Sequence, residues 1–217
     1  MFHLLIMPPA PKLLALAAAL LAGCAALRDG GTVASAPGRN HVPDPPDPAR
    51  VVSICDLDAV WERDAGGKVT LAELNGRVRV VAMFYAACQG ACVITRQDMQ
   101  QIEASLSPAV RERVEFVLVT LDPARDTIPV LRSYRRAECL SSARWTLLRG
   151  DVTATSRLAA LLGVAAGPDS SGRFVHSSEL VVVDESGRIL HRHEGWRADL
   201  PRIAREIREA ATPRQNL

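Results

Sequence analysis

The sequence predicts an α/β domain built on a central, mostly parallel sheet. Three observations carry this. Two near-continuous apolar runs, 77–85 and 114–120, each lead into a helical pattern, as strands buried on both faces do. A further strand and helix, Trp145–Leu148 and Ala154–Leu162, repeat the alternation. The chain then closes with an antiparallel hairpin, Glu179–Asp184 and Ile189–His193 around a turn at 185–188, and a last helix.

The elements follow in order. Val51–Ile54 reads as a first strand, and Trp61–Thr70 as a hairpin turning at Asp64-Ala-Gly-Gly67. Leu71–Leu74 is a short helical turn ended by Asn75-Gly76. Arg77–Tyr85 is the first central strand, its apolar run broken only by Arg79. Ile94, Met99, Ile102 and Leu106 mark an amphipathic helix over Thr95–Leu106, and Met83 and Met99 read as core. Val114–Thr120 is the second central strand, and Leu121–Thr127 a polar turn in which Asp126 caps a helix beginning at Pro129. Asp151 or Thr153 caps the Ala154–Leu162 helix, which Gly163 ends. Gly167–Gly172 is a flexible loop before Phe174–Ser178, and Leu200–Ala211 the final helix. This order is the thioredoxin plan, with an N-terminal β-hairpin extension and an extra strand-helix insertion. In such a sheet the loop after the first central strand lies at the carboxyl edge, where α/β folds place their chemistry.

The N-terminus reads as an address. Leu13–Leu21 is apolar but too short to span a bilayer, and Leu21-Ala-Gly-Cys24 resembles the lipobox of bacterial lipoproteins. The expected division is therefore a signal peptide over 1–23, a lipidated Cys24 with a Gly/Pro-rich disordered tether over 24–50, and the folded domain over 51–217. The domain would face the periplasm from a membrane anchor, as a monomer. A net charge of +2 excludes nucleic acid as a partner, because no basic block could neutralise many phosphates. His41, in the tether, is incidental.

Chemistry concentrates at Cys88-Gln-Gly-Ala-Cys92, between the first central strand and its helix. A helix N-terminus favours anions, so both thiols are expected to have lowered pKa values. Two thiolates facing one spot suit Cu(I), Zn(II) or a reversible disulfide. If that pair acts together, Cys55 and Cys139 are left over. They form either a structural disulfide, worth at most about 4–5 kcal/mol, or two separate buried thiols. His191 and His193 alternate along a strand and read as a solvated hairpin face with weak metal affinity at most.

Taken together, Phe84-Tyr-Ala-Ala-Cys88-Gln-Gly-Ala-Cys92, Asp122-Pro-Ala-Arg125-Asp126-Thr127, the Trp145 strand and Val175-His176-Ser177 resemble the Sco/SenC family. These are exported, thioredoxin-like proteins tied to copper delivery and cytochrome c oxidase assembly. The resemblance implies copper, Cu(I) or Cu(II), held by Cys88, Cys92 and His176, and a copper-site subunit of an oxidase or a related copper protein as partner. Gln89 and Val93 stand where family members commonly carry proline, which places the chain in a Cys-Gln-x-Ala-Cys branch. Asp122 could orient a ligand from behind or simply make a turn, and Arg125 could favour thiolate.

A second reading needs no copper: a thiol–disulfide oxidoreductase in which one of Cys88 and Cys92 attacks a client disulfide and the other resolves it. A redox sensor without turnover is a third. A peroxidase is disfavoured, because Tyr85 stands three before Cys88 where peroxiredoxins carry Thr or Ser.

Overall fold

The computed structural model describes residues 53–168, 170, 174–194 and 199–212. The expected signal peptide, Cys24, the tether with His41, and Val51 and Val52 lie outside the described residues. Among the described residues, no helix is long and apolar enough to cross a membrane.

The elements are β1 (Trp61–Arg63), β2 (Lys68–Val69), β3 (Val78–Phe84), α1 (Ala91–Ser105), α2 (Pro108–Arg111), β4 (Val114–Thr120), α3 (Ile128–Ala137), β5 (Trp145–Arg149), α4 (Val152–Leu162), β6 (Ala166–Pro168), β7 (Phe174–His176), β8 (Glu179–Val183), β9 (Ile189–Glu194) and α5 (Leu200–Ala211). The main sheet runs β2-β1-β5-β4-β3-β8-β9. β3, β4 and β5 are parallel, while β8 runs antiparallel to β3. The β4-β3-β8-β9 core is thioredoxin-like; β5 is the inserted strand, and the β1–β2 hairpin extends the sheet beyond it.

Every residue of β3 is buried, and alternation sends its side chains into two cores. Val78, Val80, Ala82 and Phe84 meet α1 and α5 residues such as Met99, Ile102, Ile203 and Ile207. Val81 and Met83 meet Leu158 and Leu162 of α4 on the other face. Arg79, the one break in the run, is itself fully buried. Its guanidinium donates to the Leu71 carbonyl at 3.2 Å and to Asn75 Oδ1 at 2.9 Å, which satisfies it without a carboxylate.

Asp64, read as a turn residue, is 1% exposed and does more. It accepts two hydrogen bonds from one edge of the Arg135 guanidinium of α3, through Nε and Nη2, and accepts the Leu147 amide at 3.2 Å, stapling the hairpin extension to α3 and β5. At the β8–β9 turn, Gly187 has φ +88°, and a Cβ there would lie 2.1 Å from Cys55 Sγ. Only glycine fits that position.

Three sequence expectations are corrected. Of the expected first strand, the described residues form none: Ser53 makes an isolated bridge to Arg188 and caps a 3-10 turn over Ile54–Asp56. Ile54, buried at 2%, serves packing rather than a ladder. The loop at Gly167–Gly172 belongs partly to a hairpin, since β6 pairs with β7 in register Ala166↔His176; residues 169 and 171–173 lie outside the described set. Asp126 does not cap α3: Thr127 occupies the cap, and Asp126 is turned inward.

Candidate metal centre

Sheet direction explains why three distant segments meet. Phe84 and Thr120 end β3 and β4 in parallel register, so the cysteine loop and the 121–127 turn leave the same edge. β8 is antiparallel to β3, so its start, and His176 just before it, return to that edge.

The ligand atoms of Cys88, Cys92 and His176 all lie within 4.8 Å of one another. Cys92 is the second residue of α1 and is 3% exposed; Cys88 lies on the loop before it and is half-buried. His176 Nε2 stands 2.8 Å from Cys92 Sγ. Its Nδ1 is 2.7 Å from the Ser177 carbonyl, which can only accept, so the proton sits on Nδ1 and Nε2 presents its lone pair. Burial lowers the imidazole pKa, partly offset by the Ser177 bond, so the ring is neutral and able to ligate at neutral pH.

The two thiols differ, against the expectation that both would be acidified. Burial raises the Cys88 pKa. Hydrogen bonds from the Cys92 thiol, from the Gly90 and Cys92 amides at the start of α1 and from Tyr85 outweigh it, so the net shift is downward. Cys92 is pushed well up, first by burial and then by donating its proton to Cys88. Backbone amides lower the pKa of both thiols, but they outweigh burial only at the loop cysteine.

The surroundings redistribute the roles read from the sequence. Asp122 and Arg125 pair with each other, the Asp122 amide donates to Thr120 Oγ1, and the Arg125 side chain is 77% exposed. Asp126, 3% exposed, instead supports the site: Oδ2 accepts the Ala86 amide at 2.9 Å and the Thr120 hydroxyl, tying the cysteine loop to the end of β4. Tyr85 packs edge-on against His176, with centroids 5.8 Å apart at 76°. Thr95 and Ser178 share a buried hydrogen bond between α1 and the histidine segment. These supports were legible only as residues flanking a motif.

Cys55 and Cys139 are free thiols in different settings, the first half-buried and the second exposed. Cys55 donates to Asn75 Oδ1 at 3.1 Å, while Cys139 is exposed at the end of α3 with φ +52°. The hairpin histidines are not a solvated face either. His193, 8% exposed, bonds Glu206 of α5 at 2.8 Å, and His191 stands 3.7 Å from the same carboxylate.

With this geometry in hand, comparison with known proteins is decisive for family. The SCO1/SenC family model matches residues 61–212. The chain belongs to the SCO1/SenC family. A Stutzerimonas stutzeri protein named for copper binding is 31% identical over 123 residues, covering 54% of this chain. The chain spans only 57% of that relative's length. A SCO1/SenC family lipoprotein of Bacillus anthracis superposes with a TM-score of 0.63 at 18% identity, covering 70% of this chain and 92% of its own. Arabidopsis thaliana ScoI with copper bound gives 0.59 at 16% identity, covering 70% and 94%. At these identities the structures establish the thioredoxin-like fold.

Proposed function

We propose that this SCO1/SenC protein is an exported, membrane-tethered copper-binding chaperone that delivers copper to, or maintains the thiols of, a respiratory oxidase copper site. The family is associated with cytochrome c oxidase copper assembly. The observation that carries the reading is the convergence of Cys88, Cys92 and His176, with Nε2 turned to the Cys92 sulfur and Nδ1 already engaged by the Ser177 carbonyl. Two thiolates and one neutral imidazole form a soft, three-coordinate set that suits Cu(I) as cargo. Cys88 is only half-buried, so a client's thiols can reach the metal there and displace the protein's ligands one at a time. The lipobox-like Leu21–Cys24 supports anchoring at Cys24, with the domain in the periplasm.

The thiol asymmetry favours a second activity at the same site. Cys88, with its lowered pKa, is the nucleophile toward a client disulfide; buried Cys92, its proton held until then, resolves the mixed disulfide. The products are a reduced client dithiol and an oxidised Cys88–Cys92 pair, which an external thiol reductant must restore.

Copper titration of the purified domain tests the reading. Cu(II) should give a thiolate-to-copper charge-transfer band that Cys88→Ser abolishes. His176→Ala should weaken copper binding at least tenfold while leaving disulfide reduction nearly intact. Equal copper retention by His176→Ala would leave the redox activity standing and remove the chaperone reading.

A further inference from the structure

His176 lies on β7, in a two-stranded hairpin separate from the seven-stranded sheet. Pairing with the main sheet begins only at Glu179, opposite Glu194. The imidazole therefore hangs on a short segment that needs its own hold if it is to stay over the thiols. Ser178 is placed to supply one. Its hydroxyl bonds Thr95 Oγ1, three residues along α1 from Cys92, and the two residues are 8% and 7% exposed. Thr95 donates its own proton to the Ala91 carbonyl at 3.1 Å, so Ser178 must be the donor between them. A buried hydroxyl with one proton and one available acceptor has a single satisfied orientation.

We propose that Ser178 and Thr95 are positioning residues, a latch that fixes the His176 segment to the first turns of α1 and thereby sets the imidazole on the cysteine pair. The latch rests on the reading of His176 as a ligand, but it also makes a prediction without metal. Groups that orient a ligating histidine typically change metal affinity 10–100-fold when removed.

The test uses Ser178→Ala and Thr95→Val, with Thr95→Ser as the variant that keeps the hydroxyl. Cu(I) affinity is measured by competition with a colorimetric chelator. Both hydroxyl deletions should weaken binding about tenfold, the double variant should be no worse than either single, and Thr95→Ser should restore binding. In a His176→Ala background, Ser178→Ala should cost nothing more, because the latch acts through the imidazole. The metal-free readout is the nitrogen NMR spectrum of the His176 ring. Wild type should show one tautomer, with the proton on Nδ1, and Ser178→Ala a mixture.

Wild-type affinity in both deletion variants overturns the latch. So does an undiminished Ser178→Ala loss in the His176→Ala background. An unchanged ring spectrum in Ser178→Ala overturns it whatever copper does. If His176→Ala alone binds copper like wild type, the ligand reading fails instead, and the ring spectrum decides the latch.

Discussion

Asp126 offers the sharpest check on how the site is held. Its carboxylate is buried and accepts two hydrogen bonds through Oδ2, from the Ala86 amide and the Thr120 hydroxyl. Truncation in Asp126→Ala removes both and strands two donors. A hydrogen bond to a charged group contributes about 1.5–3 kcal/mol net. Two such bonds would give more than is expected here, because burying the carboxylate is itself unfavourable and raises its pKa. The expected loss is about 3 kcal/mol in urea denaturation at neutral pH, with an unchanged denaturant slope. Asp126→Asn keeps an acceptor and should lose about 1 kcal/mol. Copper affinity should fall about tenfold in Asp126→Ala, since the Ala86 bond anchors the loop carrying Cys88. An alanine variant as stable as wild type, with unchanged copper affinity, would refute the anchoring role.

Further outcomes follow from other parts of the molecule. Asp64→Ala leaves Arg135 buried without its partner and should cost about 3–5 kcal/mol by chemical denaturation; a loss under about 1 kcal/mol would show that the staple is solvated. Cys88 should be alkylated by iodoacetamide well before Cys92, as read by mass spectrometry of quenched samples, because its thiolate is stabilised and only half-buried; equal rates would contradict the asymmetry. Glu179 is held protonated up to about 7, chiefly by burial and then by the Glu194 carboxylate opposite. The folded state therefore binds this proton more tightly than the unfolded chain. The stability it contributes is full below about pH 4.5, the ordinary Glu value, and is lost as pH rises through about 7. Glu179→Gln should flatten the fall in stability between those values, and an unaltered pH profile would place the titrating group elsewhere.

What was legible in the chain was what local pattern encodes. The apolar runs of β3 and β4 announced strands buried on both faces, and the cysteines between strand and helix announced the edge where they lie. The late histidine could be placed because β8 had to run antiparallel to close the sheet. The parts that misled depend on distant partners. Asp126 has the local look of a helix cap, but its partners are Ala86 and Thr120, on another strand end and another loop. Asp64 looks like a turn residue until Arg135 arrives from α3. His193 reads as exposed on an edge strand, yet α5 folds Glu206 over it. The unequal acidity of the two thiols was hidden for the same reason: tertiary packing buries Cys92 on α1 and leaves Cys88 half-buried on the loop before it, under the helix amides.

The most direct test of the account is X-ray absorption spectroscopy of the Cu(I)-loaded domain. The geometry predicts one copper bound by two sulfurs and one imidazole nitrogen, with the nitrogen contribution missing from His176→Ala. A two-sulfur site with no imidazole in the wild-type protein would contradict it.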